Sequence, residues 1–521
     1  MAVVWMVLSW VVLFAAASFA TVYSYGRFAR SAKGAPATAL PLDEDGTALD
    51  RAVRPKLEKN PGKSGLMLVA SNTQAFALRA LSAREAGRSL DLQYYYWKDD
   101  LTGRLLGREV LAAADRGVRV RLLIDDINTR TGDRTYAILD SHPNIEVRLF
   151  NPSRSRSSPL KRGIELVLRA FSVNRRMHNK AWIADGRVAV VGGRNIGDAY
   201  FDAHQSANFR DMDLCMVGPA VGETETIFDR FWNSDTVLPI GAFHLTRPAR
   251  RARQLDRLRA RLEKVAKGEA AKPYLERLRK ETDVAALVDG HAAFHWTAEA
   301  RVISDPPEKI FDKREGDWIS RAILPALETA RKSIAIISPY FIPGAQGVAM
   351  LDRLVKRGVD CAVLTNSLAA TDVVAVHGAY AGYRKPVLRA GVRLFELQPE
   401  FRQNRMSLFG SSGASLHTKA FTVDGAGGFV GSFNFDPRSI SLNTEMGVLF
   451  RHTALAEEID RIFAEETAPD SSYALRLDGS RLIWQDAGEA GLRARAHEPG
   501  ARLWRRMMSG FIGLLPVESQ L

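Results

Sequence analysis

Two stretches of this 521-residue chain carry histidine, lysine and asparagine at matching intervals. The first holds His178, Lys180, Asp185, Gly192, Gly193 and Asn195. The second holds His417, Lys419, Asp424, Gly431, Ser432 and Asn434. In both, Lys follows His by 2 positions, Asp by 7, the small pair by 14 and 15, and Asn by 17. Such a match at fixed spacing marks an internal repeat. On a strand, residues two apart share a face, so each imidazole lies beside an ammonium group. One copy could cradle a tetrahedral anion. Two facing copies would surround one phosphorus with two imidazoles, two ammonium groups and two amides.

That set of groups suits phosphodiester transfer through a covalent intermediate, which splits one hard step into two easier ones. One imidazole must be neutral to attack phosphorus, and the other must be protonated to give its proton to the leaving alkoxide. A pKa near neutrality makes either state accessible, and two histidines at one site titrate as a pair. Lys180 and Lys419 would offset the charge growing on the phosphoryl oxygens. Asn195 and Asn434 would donate hydrogen bonds to the same oxygens, with Gly193 and Ser432 letting the backbone come close. The first copy, having Gly193 where the second has Ser432, offers no hydroxyl there.

This doubled His-x-Lys-x4-Asp-x6-Gly-(Gly/Ser)-x-Asn pattern resembles the signature of the phospholipase D superfamily, and the match covers both halves. The resemblance implies an α/β fold of two α/β/α sandwich lobes related by a pseudo-twofold, with the active site at their junction. It also implies that Asp211 and Glu445 are the carboxylates that orient the histidines. Asp213 shares the strand parity of Asp211 and competes with it. We take His178 as nucleophile and His417 as acid/base. Asp185 and Asp424 belong to the catalytic signature but are expected to support turns or the neighbouring shell rather than carry protons. No metal and no cofactor is expected, because the ammonium groups occupy the charge role a metal would take. No P-loop or ligand-spaced acid cluster is found.

The elements that must position these residues read as strand, turn, strand. Ala181–Ile183 and Val188–Val191 are apolar runs around Asp185-Gly186, a strong hairpin signal. Ahead of them lie a strand ending in Tyr94, Tyr95, Tyr96 and Trp97, a helix from Leu105 to Arg116 closed by Gly117, and strands at 118–126 and 145–150. The second half replays this order from Ser333 to Phe395. Strands alternating with helices argue for α/β sandwiches with mixed sheets.

Residues 2–22 carry no charge, and Arg27, Arg30 and Lys33 follow. About 20 apolar residues suffice to span a bilayer. Basic residues after the run place the C-terminal side in the cytoplasm. A cleaved signal peptide is the rival reading, but it lacks a basic leading segment. The expected organisation is a membrane anchor at 1–30, a flexible polar tether at 31–64, a first lobe at 65–245, a basic helical linker at 246–290, a second lobe at 291–490 and an amphipathic tail at 491–521. The linker holds 13 Lys or Arg against 4 Asp or Glu between Thr246 and Lys280. Its Leu255, Leu258, Leu262 and Val265 recur at helical spacing. Packing on a lobe and lying on acidic lipid are both open for it. The same holds for the tail stripe Trp504, Met508, Phe511 and Leu515.

The formal net charge of +13 favours anionic partners, either nucleic acid or an acidic lipid surface. Cys215 and Cys361 are expected as unpaired buried thiols. The stretches 93–100, 122–126, 192–198 and 303–306 are similar to bacterial cardiolipin synthases of the C type. That resemblance implies transfer of a phosphatidyl group to phosphatidylglycerol, with a second phospholipid as donor, at the bacterial inner membrane. A phospholipase D-type hydrolase or a nuclease of the same fold is the alternative. The anchor argues against nucleic acid. The need for an accessory protein is left open. Acceptor contacts are expected from His377 and Tyr380, on a helix at the mouth of the second lobe.

Overall fold

Both Asp-Gly turns take the left-handed conformation that a tight hairpin demands. Asp185 and Gly186 have φ of 54° and 66°, and Asp424 and Gly425 have 55° and 62°. Each hairpin sets the strand that the His-x-Lys pair leads into against its partner, Ala181–Ala184 on Val188–Gly192 and Ala420–Val423 on Gly427–Gly431; the pairs themselves lie just ahead of the strands rather than on them. The computed structural model describes all residues except 44–45, 130–131, 157, 244, 246–250, 280–292, 312–317, 400–412, 489–490, 516–517 and 521.

Around these hairpins the chain builds two sheets of nine and ten strands. In the first lobe, Ser89–Tyr94, Arg119–Asp125 and Ile145–Phe150 pair in parallel. In the second, Ser333–Ile337, Asp360–Asn366 and Arg393–Leu397 do the same. The hairpin lies antiparallel on the first strand of each trio. Eight successive strands therefore follow one order in both sheets, the topology expected of a duplicated α/β lobe. Buried Phe150, Leu214, Met216 and Trp232 of the first lobe join Leu364, Val430, Val448 and Phe450 of the second in one apolar core. A short parallel pair, Ala207–Arg210 with Gly413–Leu416, ties the lobes beside the two signatures.

The segment after the N-terminal helix differs from the flexible tether expected. Arg148 donates to Ala35 O and Arg121 to Ala37 O, and Asn233 and Asp229 take the amides of Ala37 and Ala39. Lys33 pairs with Asp235 at 2.5 Å. Thr47 and Asp50 then form a reciprocal cap on a helix, Ala48–Lys59. A polar composition did not mean a loose chain here, because buried arginines of the lobe use its carbonyls as acceptors. Of the basic linker, residues 251–279 are described. The helix Arg251–Ala266 buries Leu255, Leu258 and Leu262 on the first lobe. Its Arg259 and Arg261 pair with Asp115 and Asp99. This is the packing alternative, not a lipid-facing one.

Candidate active site

The strands that follow the His-x-Lys pairs are held at their far ends by the signature aspartates. Asp185 accepts the amides of Gly87, Arg88 and Ser89, and Asp424 accepts those of Arg331, Lys332 and Ser333, at 2.7–3.2 Å. Each carboxylate thus pins its hairpin turn to the start of the adjacent strand. Neither sits beside an imidazole. Their place in the catalytic group is corrected to that of turn braces, as their spacing had allowed.

At the other end, each lobe hands a backbone carbonyl and a carboxylate to the other lobe's histidine. The amide of His178 donates to Thr444 O and the amide of His417 to Arg210 O, both at 2.8 Å. The next residues are Glu445 and Asp211. Nδ1 of His178 lies 2.8 Å from Glu445 Oε2, and Nδ1 of His417 lies 2.5 Å from Asp211 Oδ2. An ionised carboxylate only accepts, so each Nδ1 carries the hydrogen and each Nε2 keeps its lone pair. Asp213, the competitor, is occupied elsewhere by Arg79 and Arg194.

The signature's small position explains the two different acids. Ser432 Oγ donates to Glu445 Oε2 at 2.5 Å, and Ser439 Oγ donates to Oε1 at 3.0 Å. At Gly193 an added Cβ would lie 2.4 Å from Asp211 Oδ1, so the shorter acid fills the space that a serine would need.

Burial governs the charge state of the site. It pushes His178 down to about 4, with Lys180 and Lys419 pressing the same way against Glu445. It holds His417 well below the usual imidazole range, helped by Lys419 and Lys180. It lowers Lys419 to about 8, opposed by Asp211 and Glu445, and holds Lys180 well below its ordinary value, opposed by Glu445. Burial alone would raise Glu445, but His178 and Lys180 keep it below its ordinary value. Burial therefore favours neutral imidazoles and presses on both ammonium groups, a combination that a phosphodiester anion relieves. Lys180 Nζ donates to His178 O at 2.6 Å, and Lys419 Nζ likewise donates to His417 O.

Asn195 and Asn434 differ from each other. Asn195 Nδ2 donates to the Tyr200 hydroxyl at 3.1 Å, while the amide oxygen of Asn434 is buried without a partner among the described residues. Tyr200 was not anticipated. Its hydroxyl lies 3.5 Å from His417 Nε2, accepts from Tyr96, and its ring stands edge-on to the imidazole. A signal existed: a hydroxyl follows the signature Asn by five residues in both copies, Tyr200 and Ser439. Tyr95 packs edge-on against His178 and under Lys180, so the tyrosine run reaches the site. Asp372, also unanticipated, takes the Tyr340 hydroxyl at 2.8 Å, and its charge bears on Lys419 and His417.

His377 and Tyr380 are not brought to the mouth. His377 bonds Arg384 at 2.8 Å, and Tyr380 donates to Glu396 at 2.9 Å. Both are buried in a network that also holds Glu498 and Trp484. Their helix, Val374–Ala381, turns these polar groups inward because the buried charges of Arg384 and Glu396 need partners there.

Residues 82–232 and 323–467 match the family described as cardiolipin synthase, PLD-like domain. Cardiolipin synthase C of Escherichia coli K12 is 42% identical over 476 residues, covering 90% of this chain and 99% of that protein. The chain belongs to the phospholipase D-like cardiolipin synthase family. Cardiolipin synthase A of Pseudomonas putida GB-1 is 27% identical over 81% of this chain and 74% of its own length. The crystal structure of phosphatidylserine synthase from Haemophilus influenzae Rd KW20 superposes with a TM-score of 0.57 at 12% identity, covering 91% of this chain and all of that one. That likeness speaks for the fold alone. The matched segments of the cardiolipin synthase family include both signatures, Asp211 and Glu445. As a member, the chain is a phosphatidyltransferase of this superfamily.

Proposed function

We propose that the protein joins two phospholipids into cardiolipin at the bacterial inner membrane, with its lobes in the cytoplasm. The observation that carries the reading is the crossed pair of histidine–carboxylate contacts inside a cardiolipin synthase fold. His178 Nε2 attacks the phosphorus of the donor lipid, and the headgroup oxygen leaves with the proton of a protonated His417. The phosphatidyl group then rests on His178. The hydroxyl of phosphatidylglycerol gives its proton to His417 and attacks the same phosphorus, releasing His178.

Two features support His178 as the nucleophile. Nε2 of His178 meets no partner among the described residues, while that of His417 faces the Tyr200 hydroxyl. Glu445 is also the better-braced acid, with two serine hydroxyls on it. Lys180 and Lys419 swing from backbone carbonyls to phosphoryl oxygens as charge builds there. Among the described residues one helix, Val3–Ser31, is long and apolar enough to cross a membrane, and Arg27, Arg30 and Lys33 hold its C-terminal end on the cytoplasmic side. No accessory protein enters this reading.

The test gives purified protein phosphatidylglycerol and a second phospholipid and follows products by mass spectrometry. Cardiolipin should exceed phosphatidic acid, and His178→Ala should make neither. Phosphatidic acid as the dominant product at every acceptor concentration would make the protein a hydrolase.

A further inference from the structure

Two helices on the outside of this molecule are built inside out. In Pro159–Leu168 the polar Glu165 points inward, where it accepts the amides of Arg154 and Ser155 and pairs with Arg169. Leu160, Ile164 and Val167 point outward, 51–74% exposed. In the tail helix, Leu503–Ile512, the inward side is a seam of small residues. A Cβ on Gly378 would lie 2.7 Å from Ser509 O, and one on Gly513 would lie 3.0 Å from Gly378 O. Leu503, Trp504, Met507, Phe511 and Leu514 face outward, 52–84% exposed. In water such faces oppose the hydrophobic effect, and a continuous patch of this kind marks an interaction surface.

Position and charge identify the occupant. The first helix leans on the last turns of the membrane-length helix. Tyr25 stacks on Arg169 at 3.4 Å, Arg154 lies over Phe28, and Ile164 and Leu168 line a cavity with Ala20, Thr21 and Ser24. Its apolar face thus continues the apolar surface of that helix. The tail helix carries Arg502, Arg505 and Arg506 beside its apolar face. Arg505 donates to Thr371 O, next to Asp372 at the approach to Lys419 and His417. Beyond it, Gln520 reaches Asn174 of the first lobe, and Arg438 holds both. The tail therefore reaches from the second lobe to Asn174, six residues past the end of the first helix.

We propose that both helices lie in the headgroup–acyl boundary of an anionic lipid leaflet, the one from which the N-terminal helix emerges. The apolar faces enter the acyl layer and the arginines meet the headgroups. The docked segment 33–39 fixes the lobes against the N-terminal helix, so the site opens at headgroup level rather than on a leash. This deepens the lipid reading above and rests on it for substrate, but not for depth.

The test places a nitroxide at Ile164→Cys, Met507→Cys or, as control, Lys356→Cys in the full chain. Cys215 and Cys361 are buried and stay unlabelled. The protein is reconstituted in nanodiscs of phosphatidylglycerol and phosphatidylethanolamine. Labels at 164 and 507 should relax with oxygen and be shielded from a water-soluble nickel chelate, with the reverse at 356. Nickel access at 164 or 507 would overturn the proposal. Shielding from both probes would also overturn it, since a second protein copy would then cover the face. Independently, Met507→Glu with Phe511→Glu should slow turnover of nanodisc lipid at least about tenfold, ~1.4 kcal/mol, and leave turnover of monomeric short-chain phospholipid unchanged. Equal rates on the two substrates relative to wild type would count against it. Wild type that processes neither substrate would sink the functional reading while the depth labels still decide this one.

Discussion

Glu445 of the second lobe accepts the Nδ1 hydrogen of His178 of the first at 2.8 Å, although 267 residues separate them. The reciprocal contact, Asp211 to His417, makes each lobe unable to orient its own histidine. The catalytic unit is therefore the lobe pair, and neither half carries a complete site.

This exchange predicts how the two carboxylates differ in kinetics. Glu445→Gln should disable the nucleophile, and Asp211→Asn the acid, each lowering kcat on natural lipid by about 10²–10⁴-fold. A phosphodiester with a nitrophenol leaving group needs no proton on departure. Asp211→Asn should recover most of its first-step rate on that substrate, and Glu445→Gln should not. The opposite pattern would make His417 the nucleophile.

The aspartates of the signature should behave as structural residues. Removing Asp185 or Asp424 leaves three backbone amides without an acceptor. Asp424→Ala should cost about 1–3 kcal/mol of stability, read as a lower unfolding midpoint in denaturant. Activity per folded molecule should stay far above that of His417→Ala. A stable but inactive Asp424→Ala would return the residue to the chemistry.

The pH profile follows from the buried site. Protonation of His178, whose pKa lies at about 4, removes the nucleophile, so kcat/KM should fall on the acid side near that value. His417 must start protonated to act as the acid, and burial holds it well below the usual imidazole range, so the alkaline limb should begin with the loss of its proton and deepen where Lys419 gives up its own at about 8. Lys419→Arg cannot lose its proton in this range, so any residual activity should lose the part of the limb due to Lys419. A flat profile between about pH 5 and pH 10 would contradict this assignment of the limb.

His377→Ala should act through folding. Its ring is bonded to Arg384 in a buried charge network, so its loss should lower stability by about 1–3 kcal/mol and leave the cardiolipin to phosphatidic acid ratio unchanged. A shift toward phosphatidic acid at unchanged stability would restore it as an acceptor contact.

Turnover in detergent micelles of fixed charge should survive a strong chelator, since Lys180 and Lys419 supply the positive charge at phosphorus. Loss of activity with rescue by one divalent ion would reveal a metal requirement.

The sequence by itself determined the duplicated lobes, the hairpins and the doubled His, Lys and Asn signature. These follow from local rules: a repeated spacing marks the duplication, and Asp-Gly between apolar runs forces the turn. The two orienting acids came from a family resemblance, but their exchange between lobes was not visible. Contacts across 206 and 267 residues depend on how two sheets pack, and no local period records that. Tyr200 and Asp372 were missed for the same reason, since each approaches His417 or Lys419 from another element. The tail stripe was legible as an amphipathic helix, but its direction was not. Only the close seam of Gly378, Ser509 and Gly513 turns the small side inward and leaves the apolar side out. The tether, too, looked loose in sequence. Its order comes from Arg121 and Arg148, buried guanidinium groups of the lobe that need acceptors and find them in its backbone.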